Sequence, residues 1–504
     1  LERSATKQVH LVHQGMDVWS DKAFFYKKEN RFDAFGNVRI VQGDSLVLTS
    51  KTVNYDGKIK LAVAKEQVVL DNKEMLLKTD TLFFDRMKSI AYYPADGTVY
   101  DSLTTINSKR GTYISDAKKY KFENNVVVTN PDFTLTSARM DFYTETKHAF
   151  FYGATTIIGE DYVVRCREGF YNTDKKEGYF KKNASIDYNN RNIIGDSIYF
   201  NDTKKYASAT QNIRITDTIN NSFITGNYGQ VFKEKDSAMV THRALAINLV
   251  ELDSLFIHAD TLIATGPPER RIIRGFYDVR IFKEDLSGKT DSIYFNQTSG
   301  RAKLIRRPIS DRDLQYLTPQ EIADRNPILW SDESQMTGDE IHLTIDNEKE
   351  VLDSLLIYNN AFVIEQDSLD AANFNQIKGL QLKGKFKGKS LETVDVIQNT
   401  EMVYYLYDDE TLELTGIDKA ICSALRLDFV DSGIEKITFF TNPDGIVYPP
   451  EDLPENTRQL LGFTWREDER IYSKEDLFHG IDLEHYSIKV KPAEIKGIPI
   501  ELKR

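Results

Sequence analysis

Apolar residues alternate with polar ones along most of this chain, and the alternation returns on a fixed period. Val38 and Ile40 alternate, as do Leu46 and Leu48; Val53 and Tyr55 then continue on odd positions after a break near Ser50-Lys51. The same slip separates Phe133 and Leu135 from Met140 and Phe142. Period two is the signature of a strand with one buried face. A strand that changes phase by one residue has to bend or bulge if its apolar side chains are to keep facing one interior. Two markers set the period. Asp, then Ser or Thr, then an alternating run ending in Asp, Asn or Thr occurs at 80–85, 196–201, 260–265 and 291–296, and Asp80 and Asp196 stand 116 residues apart, four units of 29. A polar or small residue before an apolar one recurs at Asn37, Gln67, Gly97, Asn125, Ala154, Asn183 and Asn212, with gaps of 30, 30, 28, 29, 29 and 29. Each unit is predicted to form two bent strands wrapping a shared core from two sides. An array of such units places function on a long continuous surface rather than in one pocket.

Turns fall where this reading needs them, at Asp56-Gly57, Asn130-Pro131-Asp132, Asn189-Asn190 and Asn220-Asn221. Helical signals are nearly absent. The exception is Thr318-Pro319-Gln320-Glu321, where Thr can act as N-cap, Pro fits the first helical position and Glu completes a capping box. The predicted organisation is an edge segment over 1–17, repeats over 18–308, a polar insertion with a short helix over 309–333, further repeats over 334–440 and a Pro-rich extension over 441–504. Proline cannot donate to a sheet ladder, so that extension is expected to leave the sheet and cap its open end or dock on a partner.

Composition narrows the function. With 26 Tyr and 28 Phe among 504 residues the chain suits half-buried strands. A net charge of -12 with no dense Lys/Arg cluster argues against nucleic acid as partner. Lys27-Lys28, Lys118-Lys119 and Lys181-Lys182 read as solvated turns. No stretch reaches the roughly 20 apolar residues of a membrane helix, and Leu1-Glu2-Arg3 opens no signal-peptide pattern. Cys166 and Cys422, about nine units apart, are expected to be free, buried and inert. No H-E-x-x-H, G-x-S-x-G, P-loop or paired C-x-x-C is present, and His10 and His13 form only an H-x-x-H near one end. No catalytic residue, metal site or cofactor is therefore expected. Asp80, Asp196 and Asp291 read as turn formers placed before each strand.

Phe35-Gly36-Asn37-Val38-Arg39-Ile40, then Gly43-Asp44-Ser45-Leu46-Val47-Leu48-Thr49-Ser50 and Val53-Asn54-Tyr55-Asp56, resembles the OstA/LptA family of lipopolysaccharide transport proteins. Asn373-Phe374-Asn375-Gln376-Ile377-Lys378-Gly379, Asn399-Thr400-Glu401-Met402-Val403-Tyr404-Tyr405 and Asn442-Pro443-Asp444-Gly445-Ile446-Val447-Tyr448-Pro449-Pro450 are similar to its long branch found in Bacteroidetes. The resemblance spans nearly all of 18–470. It implies an all-β fold, an elongated repeat-built antiparallel β-jelly roll with almost no helix, and a periplasmic place at or near the outer membrane. It implies lipopolysaccharide as ligand, and edge-strand association with LptC-like and LptD-like components that share the jelly roll. The family's outer-membrane member adds a large β-barrel, and the charged end Glu501-Leu502-Lys503-Arg504 carries no such pattern.

An acyl chain crossing water costs about 0.8 kcal/mol for each exposed methylene, and an apolar groove along the jelly roll removes that cost. The expected lining is Val38, Ile40, Leu46, Leu48, Val53, Tyr55, Leu82, Phe84, Val126, Val128, Phe133, Leu135, Met140, Phe142, Ile198, Phe200, Ile213, Ile215, Ile293 and Phe295. A closed sandwich core would use the same pattern. Two other functions fit an array of this kind. One is a structural or adhesive rod; the other is a carbohydrate-active β-solenoid, which would need paired carboxylates in a groove.

Overall fold

The computed structural model describes residues 8–480 apart from 14, 44, 45, 102, 189, 250–253, 307, 332, 347–350, 389, 409, 431 and 432. Leu1-Glu2-Arg3, Asp44-Ser45, Asn189, Pro492, Pro499 and the last four residues lie outside that set. The chain forms two compact units, Leu1–Ile213 and Arg214–Arg504.

In the first unit antiparallel strands repeat in pairs: Lys119–Asn130 with Phe133–Tyr143, His148–Gly159 with Val163–Asn172, and Glu177–Tyr188 with Arg191–Asn201. Their starting residues 119, 148 and 177 are 29 apart, so the sequence period is the strand-pair period. Each first strand turns a corner at its middle. Asn124 and Asn125 both take left-handed backbone (φ 61° and 54°), as do Lys182 and Asn183 (φ 56° and 60°) and Gln211 and Asn212 (φ 57° and 50°). Across Asn124-Asn125 the register runs from Glu123↔Arg139 to Val126↔Ser137, so two residues face one. Asn tolerates this backbone better than other side-chain-bearing residues, which is why the second marker so often falls on Asn.

The corner also accounts for the phase slip. On the strand with the left-handed pair, Phe122 and Val126 both stay buried; on its neighbour, burial passes from Leu135 and Ser137 to Met140 and Phe142. Asp80, Asp196 and Asp291 correct the sequence reading. They stand inside strands Leu76–Asp85, Arg191–Asn201 and Leu286–Asn296, at the corner, and not before a strand. The turn-forming acids are those that end each alternating run: Asp85 Oδ1 accepts from the Met87 N–H at 2.9 Å, and Asn201 Oδ1 from the Lys204 N–H at 2.8 Å.

The second unit repeats the same plan from Ser222–Phe232 to Leu286–Asn296. The polar insertion then leaves the chain at the corner. Arg301–Ile305 pairs with one half of Leu286–Asn296, through Ser292↔Ile305 to Asn296↔Arg301, and Ile328–Ser331 pairs with the other half, through Ser287↔Trp330. Between them lie short helices Asp311–Leu314 and Pro319–Ala323; the second is capped as predicted, with the Glu321 N–H donating to Thr318 Oγ1 and Glu321 Oε2 accepting from the Thr318 N–H. Asp444–Tyr448 adds a further strand against Leu414–Val430, and the chain departs from the sheet only at Pro449-Pro450.

From there residues 449–479 lie across the outer face of the second unit. On Ser390–Tyr407, Val394, Val396, Thr400 and Met402 face the interior, yet the alternate residues Val403 and Tyr405 are buried as well, because Leu453 and Leu460 pack on them with Phe362, Ile364 and Ile417. Two buried glutamines hold the covering segment by its backbone. Gln376 donates to the Arg458 carbonyl and accepts from the Leu460 N–H, both at 2.9 Å; Gln335 donates to the Thr464 carbonyl at 2.8 Å and accepts from the Arg466 N–H at 2.7 Å. Farther on, Trp465 meets Trp330 edge-on at 4.9 Å, and Phe478 reaches the ring of His258 at 4.8 Å.

Candidate functional site

The interiors of the two units are filled differently. In the first unit large rings occupy it: Tyr120, Phe122, Phe151, Tyr171 and Phe180 are almost fully buried, Phe133 meets Tyr171 edge-on at 5.4 Å, and Tyr162 lies 4.7 Å from Phe200. In the second unit the inward positions between Ser237 and Ile305 include Ala238, Ala244, Ala246, Ala259, Ala264 and Ala302, as those of the first include Ala64, Ala91, Ala149, Ala184 and Ala209. A cavity of about 290 Å³ opens there, near the lower end of the range for small-molecule sites, about 300–1,000 Å³. Its walls are the inward residues of six strands: Leu255 and Ile257, Ile281, Leu286 with Ile293 and Phe295, Ala302, Leu343 and Ile345, and Leu352, joined by Phe386. Polar groups are few. Lys283 and Asp285 line it as an ion pair at 2.8 Å, and Ser331 adds a hydroxyl.

Of the twenty residues predicted to line a groove, sixteen are buried and Ile40, Leu46, Leu48 and Phe84 are half-buried. Register brings some together, Ile40 opposite Leu48 and Val128 opposite Leu135; Met140 and Ile198 instead stand directly opposite Phe122 and Phe180, rings outside the predicted set. Ile293 and Phe295 line the cavity; the other eighteen do not. Leu255, Ile257, Ile281, Leu343, Ile345 and Phe386 line it without having been singled out. The first five carry the same alternation, which was a sufficient signal for an inward face but not for open space beside it.

Titration in the molecule follows burial. Desolvation pushes the Cys166 thiol up to about 12 against a backbone hydrogen bond at Glu168, and pushes the Tyr162 hydroxyl up to about 12 against a hydrogen bond with Tyr171. Tyr93 is likewise pushed up to about 12 by burial, opposed by its hydrogen bond with Ser108. Cys166 and Cys422 are both free and buried. His10 stacks on Trp19 at 4.8 Å and its Nε2 meets Asp17 at 2.8 Å. Such an interior can hold an apolar ligand by exclusion of water, with the Lys283–Asp285 ion pair in its lining.

Comparison with known proteins bears on the first unit. Residues 2–138 match the family model described as OstA-like protein. Among curated proteins none matches. Among solved structures, a crystal structure of LptH, the LptA homologous periplasmic component of the conserved lipopolysaccharide transport device from Pseudomonas aeruginosa, matches at 17% identity and a TM-score of 0.14, covering 26% of this chain and 77% of that one. The fold described above stands on its own strands and registers. Over residues 2–138 the chain is similar to that OstA-like family, in the stretch that holds Gly36-Asn37-Val38 and the corner markers Asn37, Gln67, Gly97 and Asn125.

Proposed function

We propose that this chain is a periplasmic lipopolysaccharide carrier that shields acyl chains in the apolar interior of its jelly roll during transport to the outer membrane. The observation that carries the reading is the apolar cavity beside Ile293 and Phe295, walled by inward faces of successive strands and bearing a lysine, Lys283, in its lining. The OstA-like match over 2–138 supports the ligand class. Shielding requires no catalytic group: neighbouring apolar subsites differ little in affinity, so a lipid can step between them while energy is supplied elsewhere. LptC-like and LptD-like components would meet the chain by strand addition at its sheet edges.

One observation favours a second reading, a structural rod. The first unit's interior is closed by aromatic rings, so a lipid would have to displace Phe133, Phe142 or Tyr171 to enter it.

The experiment is photocrosslinking in cells of the source organism, with the reactive residue at Phe295 and, separately, at its outward neighbour Tyr294. Lipopolysaccharide adducts at 295 and not at 294 are expected. Adducts at neither position in a folded protein would count against the carrier and favour the rod. The same pair at Phe142 and Asp141 asks whether the first unit opens.

A further inference from the structure

The hairpin of strands Lys22–Tyr26 and Arg31–Gln42 leaves several of its large side chains outside the core. Among its inward positions Ala23, Ala34 and Phe32 are buried, while Phe25, opposite Phe32, is open at the strand end. Phe24, Tyr26 and Phe35 lie on the outer face and Phe25 at the edge, with 39%, 37%, 40% and 58% of their surfaces exposed. Phe24 and Phe35 meet edge-on at 6.1 Å. Cations frame these rings. Lys22 Nζ is 4.9 Å from the Phe24 ring, Arg31 Cζ is 4.2 Å from the Tyr26 ring, and Lys27 and Lys28 stand exposed in the turn. Arg31 is shared with Glu29 and Asp33 at 3.6 Å, whereas Lys27 and Lys28 have no ionic partner among the described residues. The chain as a whole carries -12, so a cationic, aromatic tip is a local departure from its composition.

We propose that this hairpin docks on an anionic phospholipid surface, its rings entering the headgroup layer and Lys27 and Lys28 meeting lipid phosphates. Aromatic side chains favour the membrane interface because one end of the ring is apolar and the other tolerates water. Cations beside them are drawn to anionic lipid.

The test floats the purified full chain with vesicles of phosphatidylcholine alone or mixed with phosphatidylglycerol. Flotation with the mixed vesicles, lost at high salt, is expected. The double change Lys27→Ala with Lys28→Ala should weaken it about thirtyfold, and Phe25→Ser about tenfold. Lys204→Ala, in the equivalent turn at 202–205, should leave it unchanged. Equal binding to neutral vesicles, or indifference to both hairpin variants, would overturn the proposal. So would absence of flotation together with self-association that Phe25→Ser abolishes, which would assign the hairpin to a contact between copies. These vesicles hold no lipopolysaccharide, so failure here leaves the carrier reading to its own crosslinking test.

Discussion

Asn212 donates from Nδ2 to Oδ2 of Asp196 at 2.8 Å, and Asn37 makes the same bond to Asp21, again sixteen residues back and again at 2.8 Å. In the first pair the two sequence markers are partners across neighbouring strands: a left-handed Asn at one corner is held by the Asp of the corner before it, and Asp21 takes that place for Asn37 without the Ser or Thr that follows Asp in the marker. Asn360 repeats the contact with Asp339 at 3.1 Å.

Replacing Asn212 tests how the corner is stabilised. Asn212→Ala loses the bond and places a Cβ-bearing residue without Asn's local compensation at φ 50°, and it should cost about 1–2 kcal/mol. Asn212→Gly should cost less than half as much, since Gly adopts that backbone freely. Urea unfolding of the two variants checks the order; equal losses would mean that the bond, and not the backbone, dominates.

Gln376 clips the covering segment through a fully buried amide. Gln376→Leu keeps the volume but strands the Arg458 carbonyl and the Leu460 N–H, at a cost of about 2–4 kcal/mol. The loss should be local. Hydrogen exchange at Leu460 should accelerate, and proteolysis between 450 and 479 should begin while the strands before it remain intact.

His258 makes the far end of that segment sensitive to acid. Burial beneath Phe478 lowers its pKa from 6.5, partly offset by donation from Nδ1 to the Ala244 carbonyl at 2.8 Å. Asp278 and Asp260 pull the value up and Arg280 pulls it down; His242 acts on Asp260, and Arg243 lies over the Phe478 ring at 4.8 Å. A folded pKa below the unfolded one means that the unfolded chain binds the proton first, so stability is full above 6.5 and falls as pH drops from there toward the folded value. Proteolysis near 474–478 should rise over that window. His258→Phe should flatten the dependence; a profile unchanged by it would place the titration elsewhere.

The cavity predicts a separable effect. Ala302→Phe directs a ring into the open volume beside Phe295 and Leu343. Lipopolysaccharide adducts at position 295 should fall several-fold while the urea midpoint stays within the range of tolerated core changes, a loss of under about 3 kcal/mol. Undiminished adducts would mean that the ligand lies elsewhere.

Properties set by neighbours in the chain were legible before any fold was known. Alternation around Val126, Val128, Leu135 and Phe142 specified strands and their inward faces; the 29-residue markers specified paired strands with a corner in each; Thr318 to Glu321 specified a capped helix. Each rests on local backbone preference or on a two-residue side-chain period. Other properties come from contacts between segments far apart in the chain. Whether Phe142 or Ile293 borders open space depends on what faces it from other strands, which the alternation within one strand does not state. Burial of Val403 and Tyr405 on the outer face depends on Leu453 and Leu460, some fifty residues later, and on the glutamines that hold them. Those contacts join segments with no common period, so no repeat in the sequence could announce them.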